Sequence, residues 1–192
     1  MKSPLIVSLS LMLASFSPLL AADDTPKIDS GGKTMTEEPK MTATEFHKQM
    51  AVDLFNATWD LVDKKDRTPE DDEMMLLRIY ASTYHWSVVG GHENMDRGNQ
   101  MISHVYALLG RGEPALYHAQ RALAVIVKYS IGDWDAAFVY EAMARAYAVL
   151  GNKAEFEKYY QIAKDAGEKI KEKGDRDYFY EALEQGPWYG MK

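Results

Sequence analysis

The chain has 192 residues, 46% of them apolar and 27% charged, which suits one globular domain with an ordinary core. Its net charge of −7 speaks against a broad nucleic-acid-binding surface. The absence of cysteine removes disulfides, thiol catalysis and cysteine-ligated zinc together.

Lys2, the apolar run from Leu5 to Leu20 and the small residues of Leu20-Ala21-Ala22 form the pattern of a secretory signal peptide over residues 1–22. The run is short for a membrane span and has no basic stop signal behind it. The expectation is therefore cleavage, no stable membrane span afterwards, and a periplasmic or secreted protein. Residues 23–41 are polar, contain Pro26, Gly31, Gly32 and Pro39, and carry no apolar period. They read as a flexible leader.

An all-helical domain is expected over residues 42–192, because no segment alternates with a period of two. Thr42 with Glu45 has capping-box spacing, and Phe46, Met50, Leu54, Thr58, Leu61 and Val62 follow in steps of three or four. Phe55 and Trp59 widen this stripe, so the first helix is expected to bury a broad face. Thr68-Pro69-Glu70-Asp71 is the clearest helix start, with a cap, a first-turn proline and acidic residues at the positive end. The second helix then runs to about Val89, with Met74, Leu77, Tyr80, Ala81, Tyr84 and Val88 on one broad side, and Gly90-Gly91 stops it.

A third helix is expected over about residues 94–109 and a fourth over about 114–129. A fifth, capped by Asp133, reaches Leu150. The sixth spans about residues 153–173, with Gly174 ending it. Asp175 is expected to cap a short seventh helix through about Gln185. The tail Gly186-Pro187-Trp188-Tyr189-Gly190 is turn-like, and its aromatics are expected to fold back on the last helix. Short connections imply antiparallel neighbours, so the expected fold is all-α: hairpins of helices 1–2, 3–4 and 5–6 in series, six to seven helices in total.

One segment occurs twice. Ile102 to Ala122 and Met143 to Ala163 align without a gap at an offset of 41. Ser103, Tyr106, Gly110, Ala115 and Ala122 of the first copy fall on Ala144, Tyr147, Gly151, Phe156 and Ala163 of the second. This pattern of small residue, aromatic, turn glycine and alanine resembles the tetratricopeptide repeat family, as found in uncharacterised exported bacterial proteins. Phe156 departs from the family's alanine, neither copy ends in its proline, and the offset exceeds the usual repeat of about 34 residues. The resemblance implies a short solenoid with lengthened helices, whose concave face holds a protein or peptide partner. Mapped onto this chain, that face presents Arg97, Gln100 and His104 from helix 3 and Glu141 and Arg145 from helix 5. The arginines would take carboxylates or carbonyls. Glu141 and Arg145 also have the spacing of a plain i,i+4 surface pair.

The alternative is a metal site, in a metal-binding protein or metal-dependent enzyme, built from His85, His104 and His118 with Glu93, Asp96 or Glu141. No His-Glu-x-x-His, Gly-x-Ser-x-Gly, Ser-x-x-Lys or P-loop occurs, so catalysis and a cofactor are not expected. An aromatic pocket of Tyr80, Tyr84, Trp86 and Tyr106 holding a small ligand is a third reading. The open ends of so short a stack can be sealed by helices 1, 2 and 7 or by a second copy of the chain, a homodimer.

Overall fold

Seven α-helices and no strand make up residues 41–192, the part of the chain that the computed structural model describes: α1 Ala43–Val62, α2 Pro69–Val89, α3 His92–Leu108, α4 Gly112–Tyr129, α5 Asp133–Val149, α6 Lys153–Gly167 and α7 Lys173–Gln185. The fold is all-α, as the periodicity requires. The expected signal peptide, and the leader up to residue 40, lie outside the described residues. Among the described residues, no helix is long and apolar enough to cross a membrane.

The helix starts follow from local chemistry. Thr42 accepts from the Glu45 N–H at 3.2 Å while Glu45 Oε2 accepts from the Thr42 N–H at 2.8 Å. Thr68 and Asp71 do the same for α2, with Pro69 at its first position. α3 starts two residues earlier than expected, because Asn94 Oδ1 reaches back to accept the Gly91 N–H at 2.9 Å.

The two copies of the internal match end their first helices alike. Gly110 and Gly151 stand at φ of 69° and 72°, a region that glycine enters without strain. The N–H groups of Arg111 and Asn152, one residue on, donate to Tyr106 and Tyr147 at 2.9 and 3.0 Å. The aromatics at these positions also stack alike. Tyr106 lies 6.0 Å from His118 and Tyr147 5.6 Å from Tyr159, each nearly parallel.

α1 packs most extensively on α2, α3 on α4, and α5 on α6. Between these hairpins α2 meets α3, α4 meets α5, and α3 meets α5 directly; α7 lies against α5 and α6. Alanines make the close crossings: Ala107, Ala115 and Ala146 form one seam and Ala119, Ala142 and Met143 the next. Met75, Ile79, Met101, Ile102 and Val105 fill the space between α2 and α3.

Three local expectations are corrected. Asp133 does not cap α5; it stands at φ of 60°, and its carboxylate accepts the Lys171 N–H at 3.2 Å, a tertiary donor that outcompetes its own helix end. α6 stops at Gly167, not at residue 173, and the Phe179 ring of α7 packs into the place a side chain at 167 would take. Gly174 and Asp175 therefore lie in the first turn of α7, whose N-cap is Glu172. The third concerns α2. Its broad apolar side turns outward: Met74, Leu77, Tyr80, Tyr84 and Val88 are exposed, while Met75, Ile79 and Ser82 are buried. The helix is apolar around most of its circumference, so packing, not periodicity, chooses the face. Ser82 sits against α1 and donates to the Ala51 carbonyl at 2.7 Å. At the outer end of α1, Phe46 is likewise exposed, and only Ala51 and Thr58 are fully buried.

Candidate functional site

The residues expected to line an open α3/α5 groove are largely engaged with one another or with the rest of the fold. Arg97 is half-buried, grips Asp135 through two hydrogen bonds of 2.7 and 3.0 Å, and lies 4.8 Å over the Trp134 ring. Gln100 is half-buried one turn further along α3. His104 rests against Trp59 with ring centroids 5.6 Å apart. Burial, with the Arg145 charge beside it, pushes the His104 imidazole down to about 3.

Glu141 and Arg145 are not exposed at all. They retain only 1% and 2% of their accessible surface and form a buried i,i+4 ion pair. The chain's own tail covers them. Arg145 donates to the Gly186 carbonyl and lies 4.9 Å over the Trp188 ring. Trp188 packs on Phe156 and Tyr160 and donates to the Leu183 carbonyl at 3.1 Å, and the Tyr189 hydroxyl donates to the Ala107 carbonyl. The tail folds back as expected, but reaches past the last helix: Trp188 bonds to α7 yet packs on α5 and α6, and Tyr189 reaches α3, so the tail occupies the face that was expected to be open.

Asp96 was expected only as a candidate metal ligand. It is 1% exposed, and neither carboxylate oxygen has a hydrogen-bond partner. Burial, reinforced by the nearby Asp135 and Glu93 and only partly offset by Arg97, raises its carboxyl to about 8.

The three histidines of the metal alternative do not converge. His85 meets His47 of α1, His104 meets Trp59, and His118 lies between Tyr80 and Asn99. Among the described residues, no three histidine or carboxylate side chains stand where they could share an ion. The fifth histidine, His92, stacks on Tyr129.

What the structure does bring together is an open cleft of about 460 Å³ between α2, α3 and α4. Tyr80, Tyr84, Tyr117, Asn99, His118 and Arg121 are among its polar groups, with the Thr83 and Ser87 hydroxyls. Asn99 donates its amide to the Met95 carbonyl at 2.8 Å, which leaves Oδ1 as an acceptor. His118 Nδ1–H donates to it at 3.0 Å, and Nε2 then accepts the Tyr80 hydroxyl at 2.8 Å. The Tyr106 hydroxyl completes the chain 3.2 Å from that of Tyr80. Burial, with Arg121 adding to it, pushes His118 down to about 4, so this network holds a neutral imidazole. Desolvation and the Tyr106 hydroxyl keep Tyr80 well above the usual phenol range, so it stays a donor.

Among the described residues, Arg121 is therefore the one formal charge on the cleft wall. It donates from Nε to Asn99 Oδ1 and from Nη1 to the Tyr117 hydroxyl, each at 3.3 Å, and remains exposed. A smaller hollow formed by Met95, Asn99, Arg121, Ala124 and Val125 continues past it. Of the four residues expected in an aromatic pocket, Tyr80 and Tyr84 line the cleft; Trp86 and Tyr106 do not, although the Tyr106 hydroxyl touches that of Tyr80. Asn99, Tyr117 and Arg121 went unmarked, although Tyr117 and Arg121 share one helix face at i,i+4. No known protein family, curated protein or solved structure matches this chain.

Proposed function

We propose that the chain is an exported, non-catalytic, tetratricopeptide-like protein that holds a peptide segment of a partner protein. The segment lies in the α2/α3/α4 cleft and not on the α3/α5 face. The observation that carries this reading is the outward stripe of α2. Leu77, Tyr84 and Val88 are 63%, 60% and 52% exposed, and Tyr84 also lines the cleft, where Tyr117 of α4 is 55% exposed. A row of large side chains open to water beside a hollow is the anatomy of a docking surface.

The chemistry of the occupant follows from the walls. Tyrosines offer broad apolar area with a polar tip and lose little freedom on contact. Arg121, alone among neutral groups, takes a carboxylate. The partner segment therefore presents one acidic group, from a side chain or a chain end, flanked by large apolar residues. The overall charge of −7 supports a peptide over a nucleic acid, whose backbone needs many cations.

A displayed peptide library panned against the purified chain tests this. Enriched sequences are expected to share an acidic group beside large apolar residues, and Arg121→Glu or Tyr84→Ala is expected to weaken their binding at least tenfold. Failure to enrich any sequence, or binding indifferent to both substitutions, contradicts the reading. So does burial of the α2 stripe against a second copy of the chain, detected as a dimer by light scattering that Leu77→Glu converts to monomer.

A further inference from the structure

The first hairpin closes at its turn and is open at its other end, where the start of α1 faces the end of α2. His47 and His85 meet there, one from each helix, with their Nδ1 atoms 2.9 Å apart and ring centroids 4.9 Å apart. Both rings are half-buried. Phe46 sets its edge against both at 5.9 Å, and Tyr84 flanks them at 5.4 Å from His85 and 6.2 Å from His47. A neutral imidazole has one donor nitrogen and one acceptor nitrogen, so this contact holds a single proton between two ring nitrogens.

We propose that His47 and His85 form a two-imidazole site for a divalent ion of the copper or nickel type. Metal–imidazole bonds are about 2.0–2.1 Å long. Two such bonds meeting at about 90° place their nitrogens about 2.9 Å apart, whereas a tetrahedral angle places them about 3.3 Å apart. The 2.9 Å hydrogen-bonded separation thus already matches that of neighbouring ligands in a square-planar or octahedral ion, the geometry preferred by Cu(II) and Ni(II) with nitrogen and oxygen ligands, so an ion can replace the shared proton with little movement of the rings.

The aromatic neighbours hold both rings in place, so little ordering is needed on binding. Among the described residues no third histidine or carboxylate joins the pair, so water completes the coordination and affinity is moderate. Binding needs the lone pair of both Nδ1 atoms. The ring that carries the shared proton there takes up its other tautomer, with the proton on Nε2, so no net proton leaves when both rings are neutral. Because the ligands come from two helices, the ion staples the open end of the hairpin and stabilises the folded chain.

The test is calorimetric titration of the untagged, chelator-stripped chain with CuCl2 and with NiCl2 near neutral pH. The expected result is one equivalent bound, at least tenfold weaker in His47→Ala and in His85→Ala and unchanged in His92→Ala, with a melting temperature that rises with added metal. Electron paramagnetic resonance of the copper-loaded wild type should show two coupled nitrogens. This spectrum decides the matter even where an alanine variant loses its helical signal. Absence of binding, affinity unchanged in both variants or reduced in only one, or a spectrum with one nitrogen or none, overturns the proposal.

Discussion

Asp96 makes stability depend on pH in a defined direction. Its carboxyl titrates near 8 in the fold against an ordinary value of 3.8, so between these limits the folded chain holds a proton that the unfolded chain releases. The stabilisation is complete below about pH 4 and is lost as pH rises through 8. His104 and His118 act oppositely. Their imidazoles are held down to about 3 and about 4 from an ordinary 6.5, so the unfolded state gains protons first, and stability falls as pH drops below 6.5. The Asp96 effect therefore stands clear of the histidines between about pH 6.5 and 8. Denaturant melts across that window should show wild-type stability declining with pH and Asp96→Asn nearly flat. A variant that declines as steeply as the wild type would show that Asp96 does not titrate there.

At the scale of elements, the tail and α5 act as one unit. Arg145 pairs with Glu141 inside the fold, beneath Trp188. Removing the guanidinium by Arg145→Ala strands a buried carboxylate, and the expected loss is about 3–5 kcal/mol of unfolding free energy. Trp188→Ala empties a site that is 7% exposed and is expected to cost about 3–5 kcal/mol. Urea melts of both variants check these values, and a loss below 1 kcal/mol in each would mean that the tail is not seated on α5. Charge reversal at Arg145 is accordingly a folding variant and does not report on partner binding. None of this was legible in Glu141 and Arg145 themselves, whose i,i+4 spacing is that of any surface pair. Their burial depends on Gly186 and Trp188, more than forty residues away, and periodicity holds no information about such a contact. The stop of α6 was misread for a similar reason. Gly174 looks like a helix terminator, but α6 ends at Gly167, a glycine whose place is set by the Phe179 ring of α7 packed against it.

For the whole molecule, the all-α class and the run of hairpins could be read from local signals, since Thr42, Thr68, Gly110 and Gly151 act through atoms a few residues away. The face that each helix buries could not. α2 is apolar on both sides, and only the neighbours supplied by α1 and α3 decide that Met75 and Ile79 go in while Leu77 and Tyr84 stay out. The candidate site was half legible for the same reason. Tyr80 and Tyr84 stood out as aromatics, whereas Asn99 and Arg121 gain meaning only once α3 and α4 set them beside His118.

The central claim, that this cleft and not the α3/α5 face receives the partner, is tested most directly by hydrogen–deuterium exchange. The chain would be compared with and without a peptide selected from the displayed library. The account predicts slowed exchange in α2 over residues 77–88 and in α4 over residues 117–125, with the tail at residues 186–192 unchanged. Protection confined to α3 and α5, together with faster exchange in the tail as it lifts off Arg145, would contradict it.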